Sequence, residues 1–133
     1  MAIDYGDART GVALSDVTRT LCGGAFVIEE PSMKKLAARL AEEAAARGAD
    51  TVVLGNPLNM NGTAGPRAEK TARLKALLEG RGLAVTLWDE RRTTVEAERV
   101  LIGAGRSREK RKTAVDAVAA SLILEGFLLR ENQ

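Results

Sequence analysis

The sequence predicts an α/β domain in which an antiparallel meander and parallel strands share one mixed sheet flanked by helices. Three observations predict it. Two short apolar runs near the start, Ala2-Ile3 and Val12-Ala13-Leu14, flank a turn rich in glycine and polar groups, which is a hairpin signal. Continuous apolar runs at residues 51–55 and 84–88 have the character of parallel strands. The segments before them carry leucines at helical spacing. An antiparallel opening followed by strand-helix-strand units gives a sheet of mixed direction, joined by right-handed crossovers.

Each element has its own signals. The first strand ends at an acid, Asp4, and Gly6 and Gly11 bracket the turn after it, with Asp7 and Arg9 between them. Such glycines take positive φ or let a second backbone or a phosphate come close. Residues 18–29 contain Leu21, Ala25, Phe26, Val27 and Ile28 and predict a third strand, interrupted at Gly23-Gly24. Ser32 is placed to cap a helix running to about Arg47, with Leu36, Leu40 and Ala44 on one face and Gly48 closing it. Residues 51–55 predict a buried parallel strand, and a polar loop, residues 56–63, leaves its carboxyl end.

Pro66 suits the first turn of a second helix, lined by Leu74, Leu77 and Leu78 and stopped by Gly80 or Gly82. Residues 84–88 predict another buried strand, ending in Asp89-Glu90-Arg91-Arg92. Thr93 or Thr94 then caps a helix with Val95, Val100, Leu101 and Ile102, broken by Gly103-Ala104-Gly105. A basic linker at residues 106–112 leads to a last helix, about residues 114–129, apolar nearly all round and expected to be largely buried.

Composition narrows the chemistry. A chain of 133 residues, 45% apolar and 29% charged, is expected to form a single soluble domain spanning residues 1–133. Aromatics make up 3%, which argues against a surface that stacks bases on aromatic platforms. No apolar run is long enough to span a bilayer, and no charged leader precedes one. The lone cysteine, Cys22, leaves no internal disulfide or multi-cysteine zinc site and is taken as a thiol with no role. Together these point to the cytoplasm. The absence of histidine rules out Ser-His-Asp, Cys-His and histidine-metal sites within one chain. Carboxylates therefore have to carry any metal chemistry, and carboxylate and water ligands suit Mg²⁺ or Mn²⁺.

Parallel-strand folds place sites at the carboxyl ends of strands. Asp4 and Glu90 occupy such places, and Asp116 is expected in the first turn of the last helix. Converging carboxylates repel one another unless a cation lies between them. Two such ions activate a water and stabilise the leaving oxygen in phosphodiester hydrolysis, with no histidine needed. Each acid also has a structural account. Asp4 can cap its turn, Glu90 can be a solvated partner of Arg91 or Arg92, and Thr113-x-x-Asp116 resembles a capping box. The basic residues divide in the same way between solvated loop and phosphate contact. The phosphate candidates are Arg9, Asn56, Asn59, Arg67, Arg91 and the Lys110-Arg111-Lys112 run.

Four blocks resemble one family. They are Asp4-Tyr5-Gly6 with Arg9-Thr10-Gly11-Val12-Ala13; Gly55-Asn56-Pro57-Leu58-Asn59-Met60-Asn61-Gly62 with Gly65-Pro66-Arg67-Ala68; Asp89-Glu90-Arg91-Arg92-Thr93-Thr94; and Lys110-Arg111-Lys112 with Asp116-Ala117-Val118-Ala119-Ala120-Ser121-Leu122-Ile123-Leu124. In this order they resemble the YqgF family, Holliday-junction-resolvase-like proteins associated with maturation of the 5′ end of 16S rRNA. The resemblance implies a ribonuclease-H-like fold and a nuclease using Mg²⁺ or Mn²⁺, with Asp4, Glu90 and Asp116 as its acidic metal-binding triad. It implies a nucleic-acid partner, structured RNA or branched DNA, met by a monomer or a homodimer. The sequence departs from the family in its short stretch before Asp4 and in Arg92, where an apolar residue is common.

Three rivals remain at this level. One is a resolvase of four-way DNA junctions, whose symmetric cuts need a dimer. Another is a non-catalytic nucleic-acid-binding module. The last is an actin- or sugar-kinase-like phosphate binder, which needs two such domains where this chain supplies one.

Overall fold

The computed structural model describes residues 1–15, 22–57, 65–89 and 108–131; of Cys22, residues 108–116 and residues 129–131 it describes the backbone. Among the described residues five strands form one sheet: β1 (Ala2–Asp4), β2 (Arg9–Ser15), β3 (Cys22–Glu29), β4 (Thr51–Asn56) and β5 (Ala84–Asp89). Their order across the sheet is β3-β2-β1-β4-β5. The β1–β2 and β2–β3 pairs are antiparallel, whereas β1–β4 and β4–β5 are parallel. The described helices are α1 (Met33–Ala46), α2 (Pro66–Glu79) and α3 (Arg108–Glu131). This is the mixed sheet expected from the hairpin and strand-helix-strand signals.

Strand alternation divides the core in two. Ile3, Val12, Ile28, Val52 and Leu54 pack with Leu36 and Leu40 of α1 and Leu74 and Leu78 of α2. Ala2, Ala13 and Val53 point the other way and pack with Ala120, Ile123, Leu124 and Leu128 of α3. Small side chains on both sides of that second interface let the helix lie close to the sheet. Each fully buried leucine or isoleucine contributes about 1.5–3 kcal/mol by leaving water.

The local signals worked where backbone chemistry decided the outcome. Ser32 caps α1, its hydroxyl accepting from the Lys35 amide at 3.4 Å, and Gly48 follows at φ +68°. Pro66 opens α2, and Gly82 takes φ +89° just beyond its end. In β3 the pairing jumps from Leu14–Gly24 to Ser15–Cys22, so Gly23 forms a bulge at the predicted interruption.

Several expectations are corrected. Among the described residues β5 is an edge strand rather than a buried one: it pairs there with β4 alone, and Leu87 is 39% exposed. Its partly buried side chains divide between the two cores, Val85 packing with the leucine core and Trp88 with the α3 cluster. Trp88 stacks edge-on against Phe127 with ring centres 6.4 Å apart, and lies so close to Gly126 that a Cβ there would meet its ring at 3.0 Å.

The last helix begins at Arg108, so Lys110, Arg111 and Lys112 belong to its first turns rather than to a linker. Arg and Lys are good helix formers, and no glycine or proline separates them from residue 114. Consequently Asp116 is not in a first turn, and Thr113 does not cap. Nor is α3 buried all round: Ala119, Ala120, Ile123, Leu124 and Leu128 are buried while Glu125 is exposed. The helix predicted after Thr93 or Thr94 falls outside the described residues.

Leu54, fully buried in β4 between β1 and β5, should be among the costliest truncations. Leu54→Ala is expected to lower unfolding free energy by about 2–5 kcal/mol in a denaturant titration.

Candidate active site at the carboxyl end of the first strand

Asp4 is the last residue of β1 and half-buried. Tyr5 and Ile3 belong to the core under α1 and α2, and Ala2 to the core under α3. By the two-residue period of a strand, Asp4 therefore leaves the sheet on the α3 face. Its register partner is Gly11 on β2, while the parallel ladder with β4 has its last partners at Ile3 and Leu54. Asp4 thus sits where the first strand diverges from its parallel neighbour. Asn56 and Asp89, partners across β4 and β5, end their strands on the same edge of the sheet.

The turn after Asp4 is held from within and from without. Inside it, a Cβ on Gly6 would lie 2.2 Å from the Arg9 carbonyl oxygen, so only glycine fits. Gly6 owes its place to that close approach. Among the described residues, positive φ occurs at Gly48 and Gly82 and not at Gly6 or Gly11. The fully buried Thr10 hydroxyl lies 3.5 Å from both the Gly6 amide and the Gly6 carbonyl.

From outside, the first turn of α2 grips the same loop. Arg67 donates from Nη2 to the Tyr5 carbonyl at 3.1 Å, and Lys70 Nζ bonds Asp7 Oδ1 at 2.9 Å. Thr71, also buried, donates its hydroxyl to the Arg67 carbonyl at 2.9 Å. The hydrogen bond and charge of Lys70 hold the Asp7 carboxyl below its ordinary range, with Arg67 adding to the effect. Sequence reasoning misses Lys70 and Thr71, and it meets Thr10 only inside a family-like block, with no role attached. The spacing of Arg67 and Lys70, three apart in a helix opened by Pro66, was the available sign that they share a face.

The other expected site residues fall unevenly. Arg9 begins β2 half-buried, opposite Glu29. Asn56 is half-buried at the end of β4. Asn59, Glu90 and Arg91 lie outside the described residues. Asp116 occupies a backbone position in α3 one turn before Ala120, which packs in the cluster containing Ala2. Among the described residues no three of His, Cys, Asp and Glu group as a metal site. Of the three candidate acids, Asp4 is the one whose side chain is described. Among the described residues no helix is long and apolar enough to cross a membrane.

A mixed five-stranded sheet in this order, with helices on both faces, defines a ribonuclease-H-like fold. A solved structure titled "T. thermophilus RuvC in complex with Holliday junction substrate" matches with a TM-score of 0.58 at 15% identity, covering 97% of this chain and 92% of that one. At that identity the likeness establishes the fold alone. The sequence is more specific. The family model RuvX, described as Holliday junction resolvase, matches residues 1–130, and the chain belongs to this family. A relative from Carboxydothermus hydrogenoformans, named "Putative pre-16S rRNA nuclease", is 44% identical over 129 residues, covering 96% of this chain and 94% of its own. One of the same name from Halothermothrix orenii is 42% identical over 134 residues, covering 100% and 96%.

Two consequences of the turn's construction are measurable. Gly6→Ala forces a Cβ onto backbone that cannot swing aside, and should cost about 1–3 kcal/mol of stability in chemical denaturation. Asp7 has a folded-state pKa below its unfolded one, so its tie to Lys70 stabilises above the ordinary carboxylate value and is lost as pH falls through the lowered one. Lys70→Met should raise the Asp7 titration toward that ordinary value, followed by carbon-13 NMR of the carboxyl group.

Proposed function

We propose that this protein is a divalent-metal-dependent nuclease that hydrolyses phosphodiester bonds and acts in 5′-end maturation of pre-16S rRNA. The observation that carries the proposal is the place of Asp4. In a chain whose family and relatives bear resolvase and nuclease names, its central strand ends in a half-buried acid on the α3 face. Support for convergence with Asp116 comes from α3, which packs on that same face and carries Asp116 one turn before Ala120. Glu90 follows Asp89, the last residue of β5, in the sequence, and Asp89 is the partner of Asn56 on β4.

The donor set fits Mg²⁺ or Mn²⁺. Its members are carboxylates, the chain has no histidine, and Asp4 stands at a strand end rather than in the leucine core. Asp4, Glu90 and Asp116 would hold the metal, which supplies activation of water and charge stabilisation at the departing oxygen. The chain's own part is to hold Asp4 rigidly and to bring the phosphate backbone to it. Arg9 and Asn56, with Asn59, Arg91 and the Lys110–Lys112 run, are the proposed phosphate contacts. They set register on the nucleic acid and carry no sequence information themselves. With that role goes a cytoplasmic site of action, as part of the same proposal.

A second reading keeps the site and changes the substrate to a four-way DNA junction. It is favoured by the family description and by the RuvC structure solved with a junction. Paired cuts would need two sites, hence a dimer.

Asp4→Asn should lower metal-dependent cleavage by on the order of 10² or more, the scale of losing one preorganised electrostatic contact. Folding and nucleic-acid binding should persist. The assay sets precursor rRNA, single-stranded RNA, duplex DNA and a four-way junction against Mg²⁺ and Mn²⁺. Undiminished cleavage by the variant would remove Asp4 from the site. Preference for the junction by a species of dimer mass would replace the rRNA assignment with the second reading.

A further inference from the structure

We infer that Arg67 is a positioning residue for Asp4, acting through the backbone of Tyr5 rather than on the nucleic acid. The inference rests on the nuclease reading of Asp4.

As a cation near a helix N-terminus, Arg67 is an obvious candidate for a phosphate contact. Its guanidinium has a different partner, the Tyr5 carbonyl at 3.1 Å, across 62 residues of sequence. Tyr5 is the residue after Asp4, and its side chain is packed in the core under α1 and α2. Ladder pairing holds Asp4 from the β2 side, core packing holds Tyr5 by its ring, and Arg67 holds the peptide that leaves Tyr5. Without the last restraint the Tyr5–Gly6 peptide keeps the two Thr10 hydroxyl contacts at Gly6, each at 3.5 Å and therefore weak. Lys70 pins Asp7 from the same helical turn, and the buried Thr71 hydroxyl secures the Arg67 backbone. The anchor is therefore built into α2. It orients a carboxylate as outer partners orient metal ligands, whose loss typically costs 10–100-fold in activity or metal affinity.

The experiment compares the full-length wild type with Arg67→Met. Turnover and KM are measured on a cleavable RNA with Mn²⁺. Binding of the same RNA without divalent metal is measured across a salt series, and amide hydrogen exchange is followed at residues 6–10. Positioning predicts kcat lower by roughly 10–100-fold. Affinity and salt slope stay as in wild type, and exchange quickens in the turn but not in β4. A phosphate ligand predicts the reverse: weaker binding, a salt slope smaller by about one, and kcat retained. That result, or no change in any readout, overturns the inference.

Should Arg67→Met fail to show a cooperative melt, Arg67→Lys decides. The ammonium keeps the charge that a phosphate needs but has shorter reach and no planar fork. Positioning predicts a kcat loss with binding intact, whereas a phosphate contact predicts binding and kcat both as in wild type. If the wild type itself cleaves nothing, the nuclease reading fails and this inference with it. If the wild type cleaves and both variants cleave equally well, only this inference fails.

Discussion

The structure depends on a strand of three residues. β1 lies at the centre of the sheet, bonded antiparallel to β2 and parallel to β4, so Ala2 has Ala13 on one side and Val53 on the other. Its side chains alternate between the two cores, and Ala2 and Ile3 are fully buried. A strand this short makes few ladder bonds and would be marginal at an edge. At the centre, both neighbours and both layers of helices hold it. That is why so brief an apolar run, ended by an acid, can organise the chain.

The turn beyond it has a different problem. Backbone leaving a central strand must reverse direction without exposing the end of the core. Gly6 permits the closest approach, to the Arg9 carbonyl, and the buried Thr10 hydroxyl bridges the turn at its base. α2, arriving much later in the sequence, then clamps the outside with Arg67 and Lys70. The exposed Lys70–Asp7 pair adds little by itself, because exposed ion pairs are screened by water and salt. The Arg67 bond is different in kind: its acceptor is a main-chain carbonyl beside a buried ring, so it fixes a peptide rather than a mobile side chain.

What was legible in the sequence follows from the range of the forces involved. Ser32, Gly48, Pro66 and the Gly23 bulge act within a few residues, and each did as its chemistry suggested. The β5 run reads as buried because apolar content does not distinguish a central strand from an edge strand that packs on a helix through Trp88. The start of α3 reads as a linker because basic residues suit a solvated loop and a helical turn equally well. At the site, Asp4 was visible as an acid ending a strand. The Arg67–Tyr5 bond was not, since it joins residues 62 apart and only the crossover topology brings them together.

Register connects the core to the proposed chemistry. Side chains on a strand alternate, so a slip of one residue in β1 would exchange its faces completely. Ile3 and Tyr5 would leave the leucine core, and Asp4 would enter it without a compensating charge, which folding strongly disfavours. The burial that stabilises the protein is therefore the same constraint that directs Asp4 to the α3 face. Hydrophobic packing sets the direction of the carboxylate, and Arg67 restrains the peptide just beyond it. A site on the central strand of a sheet closed on both faces inherits the rigidity of the core, which a site on a surface loop would have to acquire from other contacts.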